Sequence, residues 1–104
     1  MYSVVRKHVR PNTTIPFFNA RSPEGSSEEF KTYFRTTYVD TGKNLIISSD
    51  VSSDGLELTA TSIWDSEESF NQFMSDPMCI PVITSAQEYL VNNGITEVVE
   101  TSTI

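Results

Sequence analysis

The sequence contains few of the residues that bind metals, form disulfides or pair as nucleophile and base. Its 104 residues include one cysteine, Cys79, one histidine, His8, and one tryptophan, Trp64. A lone cysteine cannot form an internal disulfide, which favours a reducing compartment. One cysteine and one histidine are also too few for a structural zinc site, which needs about four such ligands. We therefore predict neither a metal site nor a cofactor.

Basic residues are missing from more than half of the chain. All seven Lys and Arg residues lie within the first 43 positions beside four acids, whereas residues 44–104 hold ten acids and no Lys or Arg. The net charge is −7, with +3 in the first part and −10 in the second. Nucleic acid is excluded as a partner, because neutralising phosphates needs a net basic face. The asymmetry favours pairing of the two parts, within one fold or across a dimer.

Long apolar runs are also absent. None approaches the length of a membrane span, and the first residues lack the apolar segment of a signal peptide. We therefore expect a cytoplasmic protein with no membrane partner and one domain over residues 1–104. A domain of this size buries only about two thirds of its unfolded surface, so further burial in a homodimer is favourable.

Glycine is scarce, and the four glycines mark turns and helix ends instead of a phosphate-binding loop. A capping box, Ser26 with Glu29, predicts the first helix start, and its inner stripe is aromatic. A long proline-containing loop precedes it and displays Phe17-Phe18. The predicted elements are strands over 2–10, 45–51, 56–64 and 95–104, a helix over 27–41, and two helical segments separated at Asp76-Pro77.

The third strand has two different faces. Alternation places one apolar set on one side and a threonine-rich set on the other. The apolar set is Leu56, Leu58, Ala60, Ser62 and Trp64, and the polar set is Glu57, Thr59, Thr61 and Ile63. The order β-α-β-β-α-β predicts a ferredoxin-like sandwich, an α+β fold whose four-stranded antiparallel sheet carries helices on one face only.

Residues 60–80 carry a family resemblance. The strand end Ile63-Trp64, the cap and helix start 65–70, and Phe73-Met74 resemble the dimeric α+β barrel proteins, which include antibiotic-biosynthesis-type monooxygenases and haem-degrading oxygenases. The resemblance implies that two protomers pack their open sheet faces together, through Glu57, Thr59, Thr61 and Ile63. The overall layout also resembles small uncharacterised proteins of T4-like cyanophages.

The resemblance carries over only part of the haem-degrading site. Trp64 matches the family tryptophan that lines a pocket between sheet and helices. The first strand has no asparagine to contact bound oxygen, and Pro81-Val82 stand where the haem-ligating histidine should be. Haem binding is therefore not expected.

Two sets of side chains are candidates for a site. Trp64, Tyr33 and Phe73 are expected to line a pocket beneath Phe17 and Phe18, although aromatic residues at these spacings also serve as core. No catalytic residue can be assigned from the sequence.

His8 is the second candidate, as a base or as a site for a small acid. The structural alternative pairs Arg6, His8 and Arg10 with Glu57 on the third strand and with Glu97 or Glu100 on the fourth.

Two functions follow from these features. The first is a homodimeric, non-enzymatic accessory module that binds another protein and is encoded by a phage. The second is a cofactor-independent monooxygenase or small-molecule-binding protein with its pocket beside Trp64. The first is favoured because a reaction needs a polar constellation that the pocket residues do not supply.

Overall fold

The computed structural model describes residues 1–17 and 27–104. Four strands form the sheet: β1 (Tyr2–Val9), β2 (Asn44–Val51), β3 (Glu57–Trp64) and β4 (Thr96–Thr103). Three α-helices are described: α1 (Glu28–Phe34), α2 (Glu67–Ser75) and α3 (Ile80–Asn92), with a π-helical segment (Arg35–Val39) directly after α1. The chain order confirms the predicted β-α-β-β-α-β fold, with its second helical unit divided into α2 and α3 at Asp76-Pro77.

The strands lie in the order β2-β3-β1-β4, and all neighbouring pairs are antiparallel. The register fixes which side chains share a face. His8 lies opposite Leu58 on β3 and opposite Glu97 on β4, so these three face the helices. Thr61 lies opposite Val5 on β1, and both belong to the open face. The two predicted faces of β3 are therefore confirmed.

The hairpin between β2 and β3 closes where the sequence predicts it. Gly55 has φ 76°, a conformation that favours glycine, and its N–H donates to the Ser52 carbonyl at 2.9 Å. The Asp54 carboxylate accepts bonds from the Ser52 hydroxyl and from the backbone N–H of Leu56. These bonds fix the register between β2 and β3, in which Thr61 and Trp64 lie on opposite faces of the sheet.

Serine caps begin two of the helices. The Ser66 hydroxyl accepts from the Ser69 N–H at 3.1 Å, so the cap of α2 lies within the helix start predicted over 65–70. Helix α1 is capped by Ser27, whose hydroxyl accepts from the Phe30 N–H at 3.1 Å. The cap predicted at Ser26 is thus one residue too early, and Ser26 itself lies outside the described residues.

The predicted helix 27–41 is not α-helical throughout. From Arg35 the backbone widens, and the Asp40 N–H donates to the Arg35 carbonyl five residues back, at 2.8 Å. A π-helical turn accommodates one more residue than an α-turn over the same length. Tyr38, on this segment, is completely buried, so the extra residue turns its ring into the core.

The core is a cluster of aromatic rings between the sheet and the helices. Tyr38 meets Trp64 edge to face, with 5.9 Å between ring centroids, and Phe73 lies 5.3 Å from Trp64 and 5.7 Å from Tyr38. Phe70 and Tyr2 extend the cluster towards β1. The aromatic stripe predicted for α1 is therefore core, as Phe34 also packs against Tyr38 and Phe73.

None of the helices within residues 1–17 and 27–104 is long and apolar enough to cross a membrane.

Candidate ligand-binding site

Two strands bring three charged or titratable side chains together beneath the helices. His8 Nε2 lies 2.7 Å from Glu97 Oε2, and an Arg6 guanidinium nitrogen lies 3.5 Å from the same oxygen. The imidazole is 7% exposed and the Glu97 side chain 18%. The pairing of Arg6 and His8 with Glu97 is confirmed, because the register sets His8 directly opposite Glu97.

The hydrogen bond between His8 and Glu97 shows which imidazole nitrogen carries a proton. An ionised carboxylate only accepts hydrogen bonds, so His8 Nε2 carries the proton in its bond to Glu97. His8 Nδ1 is buried and has no hydrogen-bond partner among the described residues. In the neutral imidazole, Nδ1 therefore carries a lone pair that no protein donor from those residues meets.

The environment keeps Glu97 ionised. Burial favours the neutral acid, but the hydrogen bond from His8 and the positive charge of Arg6 outweigh it and hold the Glu97 pKa below its ordinary value. Gln87 adds a longer amide contact of 3.4 Å to the other carboxylate oxygen. Glu97 therefore accepts hydrogen bonds with both carboxylate oxygens, from His8 with one and from Gln87 with the other.

A cavity of about 200 Å³ lies between this cluster and the two helices. Arg6, His8 and Glu97 form its sheet side. Its other walls are apolar, with Phe73 and Met74 from α2 and residues such as Ile83, Ala86 and Leu90 from α3. Gln87, which is exposed on α3, places part of the wall at the surface. We call this space the His8 cavity.

The sequence predicts a pocket beside Trp64, but Trp64 is not among the residues that line the His8 cavity. Trp64 is 2% exposed and enclosed by neighbouring rings, and its indole N–H donates to the Ser62 hydroxyl at 3.2 Å. Of the candidate pocket residues, His8 and Phe73 line the cavity. Phe73 separates the cavity from Trp64.

Phe17 and Tyr33 lie elsewhere. The Arg10 guanidinium sits 4.0 Å from the centre of the Phe17 ring, and the Tyr33 hydroxyl is held by Asp76. Phe18 lies outside the described residues.

The expected pairing of the set Arg6, His8 and Arg10 with Glu57 is wrong. Glu57 lies opposite Val9 and belongs to the open face, since the alternation places it one position out of phase with His8. Arg10 instead donates to the carbonyl oxygens of Gly55 and Ile15, at 2.7 and 2.8 Å. It therefore fastens the hairpin turn to the loop that follows β1.

A second polar cluster lies at the junction of α2 and α3. The hydroxyls of Tyr33 and Tyr38 both donate to Asp76 Oδ2 at 2.6 Å, and the Met78 N–H donates to Oδ1 at 2.9 Å. Burial opposes ionisation of Asp76, but these hydrogen bonds lower its pKa overall. The partner that a buried tyrosine requires is thus a carboxylate of the same chain.

Cys79 borders this second cluster and is completely buried. Burial, together with the negative charge of Asp76, raises the pKa of its thiol to about 12. The thiol therefore stays protonated near neutral pH and is inert as a nucleophile.

Sequence reasoning did not find the helix side of the His8 cavity. The pattern indicates that Ile83 and Ala86 face inward on α3, but it does not show that a gap remains between these side chains and the sheet. The small side chain of Ala86 opposite the long side chains of β1 is the one signal in the sequence. Asp76 was identified only as a helix end, although Tyr33 on α1 and Tyr38 on the π-helical segment both needed a hydrogen-bond partner.

No protein-family model matches the sequence, and no curated protein matches it. Several solved structures share its fold. SnoaB, a cofactor-independent oxygenase from Streptomyces nogalater, is 10% identical with a TM-score of 0.61, and the match covers 99% of this chain and 91% of that one. A monooxygenase of Streptomyces coelicolor, determined with nanaomycin D, is 14% identical with a TM-score of 0.56, covering 99% and 88%.

A third similar structure is a dimeric ferredoxin-like protein from an uncultured marine organism. It is 8% identical with a TM-score of 0.58, and the match covers 99% of this chain and 94% of that one. At these identities the similarity is one of fold. The chain has the ferredoxin-like α+β fold of the antibiotic-biosynthesis-type monooxygenases.

Proposed function

We propose that the protein binds a small, largely apolar molecule in the His8 cavity. The cavity itself carries this proposal. Its volume of about 200 Å³ exceeds that of an engineered apolar cavity of roughly 150 Å³ that binds benzene. Apolar walls on the helix side and one polar cluster on the sheet side are the usual composition of a small-molecule site. A ligand with one or two rings and a single polar group fits this arrangement.

Filling the cavity tests the proposal directly. In Ala86→Phe a ring occupies space that lies free beside Ala86 on α3. We expect its affinity for 4-nitroanisole, a neutral one-ring probe, to fall at least about tenfold relative to the wild type. Calorimetric titration measures the affinity, and circular dichroism checks that the variant is folded.

Val91→Phe is the matched control, because Val91 lies on the same helix and is 78% exposed. It is expected to bind the probe like the wild type. Wild-type protein that shows no binding, or equal binding by Ala86→Phe, would refute a ligand site in the His8 cavity.

The reaction class favoured by the structural neighbours is cofactor-independent oxygenation. Two of the similar structures are described as a cofactor-independent oxygenase and a monooxygenase. In this chain the His8 cavity is where such a reaction would take place. Dioxygen uptake in the presence of a bound ligand, lost in Ala86→Phe, supports an oxygenase, whereas binding without uptake supports a binding protein.

These observations favour the second of the two functions expected from the sequence. The accessory role rested on the lack of a polar constellation near Trp64. The His8–Glu97–Arg6 cluster supplies one in a different place, against the apolar walls of α2 and α3. The phage resemblance adds no argument for either function.

We also propose that the protein is a homodimer that packs through its open sheet face. The helices cover only the other face, and the open one carries apolar residues such as Ile46 and Val98, each more than half exposed. Lys7 lies on this face together with acids that include Asp50 and Glu100. A second copy would cover the apolar residues and could pair these opposite charges. One similar structure is described as dimeric, which supports a homodimer.

Thr61→Arg is expected to yield a monomer. Thr61 lies on the central strand β3, between Val5 and Ser48 of its neighbours, so a guanidinium there would be buried and unpaired in the interface. Light scattering coupled to size exclusion measures the mass. Thr84→Arg, on the exposed side of α3, makes the same chemical change away from the sheet and should leave the mass unaltered. A dimer that survives Thr61→Arg would show that this face is not the interface.

A further inference from the structure

The His8 cavity is lined by a histidine whose ring has one nitrogen that no described residue engages. His8 Nδ1 is buried without a hydrogen-bond partner among the described residues, and the ring that carries it is only 7% exposed. An unpaired buried nitrogen costs stability, because it loses its hydrogen bond to water without gaining another. Because His8 lines the cavity, a ligand there can supply the missing partner.

Resting on the proposed function, we propose that His8 Nδ1 accepts a proton from the ligand, which is a small, largely apolar molecule with one acidic hydroxyl, such as a phenol or an enol. The ligand O–H bond breaks, its electron pair stays on the ligand oxygen, and the proton forms a new N–H bond on Nδ1. No oxidant or further reactant takes part in this step.

The hydrogen bond to Glu97 prepares His8 for this role. Since Nε2 donates to the carboxylate at 2.7 Å, the neutral imidazole is held in the tautomer that leaves the Nδ1 lone pair free. When Nδ1 receives a proton, the resulting positive charge lies beside the Glu97 carboxylate. Glu97 is thus a positioning residue, which fixes the tautomer and stabilises the protonated ring without touching the ligand.

The charges of the cavity remain balanced through the transfer. Before it, Arg6 and Glu97 contribute one positive and one negative charge, 3.5 Å apart. After it, the imidazolium and the ligand anion add one charge of each sign. A ligand without a hydrogen-bond donor would leave the lone pair unpaired, and a cationic one would repel both Arg6 and the protonated ring.

Within the described residues, the other surroundings of His8 bring no competing charged group. On β3 its register partner is Leu58. Helix α2 contributes Phe73 and Met74 to the cavity, and the polar residue that α3 contributes is the amide Gln87. The charged groups facing His8 are therefore Arg6 from its own strand and Glu97 from β4.

Two probes of nearly the same shape separate the contributions. 4-Nitrophenol has the acidic hydroxyl and absorbs in the visible range as its anion, whereas 4-nitroanisole carries a methyl group in place of the proton. At a pH about one unit below the solution pKa of the phenol, only about a tenth of the free probe is ionised. We expect most of the 4-nitrophenol bound to wild-type protein to show the anion spectrum.

His8→Gln is the variant for the proton acceptor. Its side chain can still donate a hydrogen bond to Glu97 but offers no basic nitrogen. We expect His8→Gln to bind 4-nitrophenol in its neutral form, and to lose at least about tenfold more affinity for 4-nitrophenol than for 4-nitroanisole. In Glu97→Gln, which retains His8, the bound anion fraction should fall by a smaller amount.

The outcomes are distinct. If wild-type protein binds both probes but 4-nitrophenol stays neutral, the proton-acceptor role of His8 is overturned while the ligand site stands. If it binds neither probe, the ligand site fails and this inference fails with it. The spectrum of the wild-type complex alone decides the matter should His8→Gln not fold.

Discussion

Replacing Trp64 by alanine is expected to lower the free energy of unfolding by about 4 kcal/mol, within the range for deleting a buried aromatic side chain. Trp64 is 2% exposed and its ring contacts those of Tyr38, Phe70 and Phe73, with centroids 5.3–5.9 Å away. Its removal leaves a void at the centre of the core and unpairs several ring contacts at once.

Urea unfolding followed by circular dichroism measures this loss, because the variant has no tryptophan to report by fluorescence. Val91→Ala, at a position 78% exposed, should change the stability by less than about 0.5 kcal/mol. Trp64→Phe should fall between the two, since it keeps a ring but loses the hydrogen bond to Ser62. A loss below about 1 kcal/mol in Trp64→Ala would contradict a role for Trp64 as the centre of the core.

Asp76→Ala is expected to destabilise the fold by about 2 kcal/mol, because it leaves the hydroxyl of the fully buried Tyr38 without an acceptor. It also removes the bond from the Met78 N–H that helps to begin α3. Urea unfolding again gives the value, with Glu88→Ala as a control that deletes an exposed carboxylate of the same charge.

Adding Tyr38→Phe to Asp76→Ala distinguishes an unpaired hydroxyl from a general disturbance. The double variant is expected to be more stable than Asp76→Ala alone, since removing both partners costs less than leaving one of them buried and unpaired. If the two substitutions simply add, the carboxylate does not act through Tyr38.

The acid dependence of stability has a defined sign. Burial opposes ionisation, but the bonds from Tyr33, Tyr38 and Met78 lower the pKa of Asp76, so the folded state binds this proton more weakly than the unfolded chain. The contribution of Asp76 is therefore present above a pH of about 3.9, the unfolded value, and is lost as the pH falls through the lower folded pKa. Asp76→Ala should lack this part of the acid dependence.

The sequence predicts the fold well because its signals are local. The alternation in β3, the Asp54-Gly55 turn and the Pro77 break each act within a few residues, and together they determine the element order. The pairing of His8 with Glu97 followed from that order, since β4 had to lie beside β1.

The parts that sequence reasoning missed depend on register and rotation. The pairing of Arg6, His8 and Arg10 with Glu57 failed because Glu57 lies on the open face of the sheet, whereas His8 shares the helix face with its register partner Leu58. Where the sequence predicts a pocket beside Trp64, the structure places the buried ring of Tyr38 against the indole, and Tyr38 lies on the π-helical segment that periodicity did not predict. The His8 cavity depends on how far α3 stands from β1, a distance that no periodicity encodes.

The widened turn at Arg35–Val39 has a consequence for how this gene can change. Successive residues of an α-helix are rotated by about 100° around its axis. Deletion of one residue within the π-helical turn would convert it to a regular α-helix and rotate every later residue of the segment by about this angle. Tyr38 would leave Asp76 and Trp64 together. Substitutions on the exposed side of the turn are tolerable one at a time, whereas a single in-frame deletion or insertion there would disrupt the core.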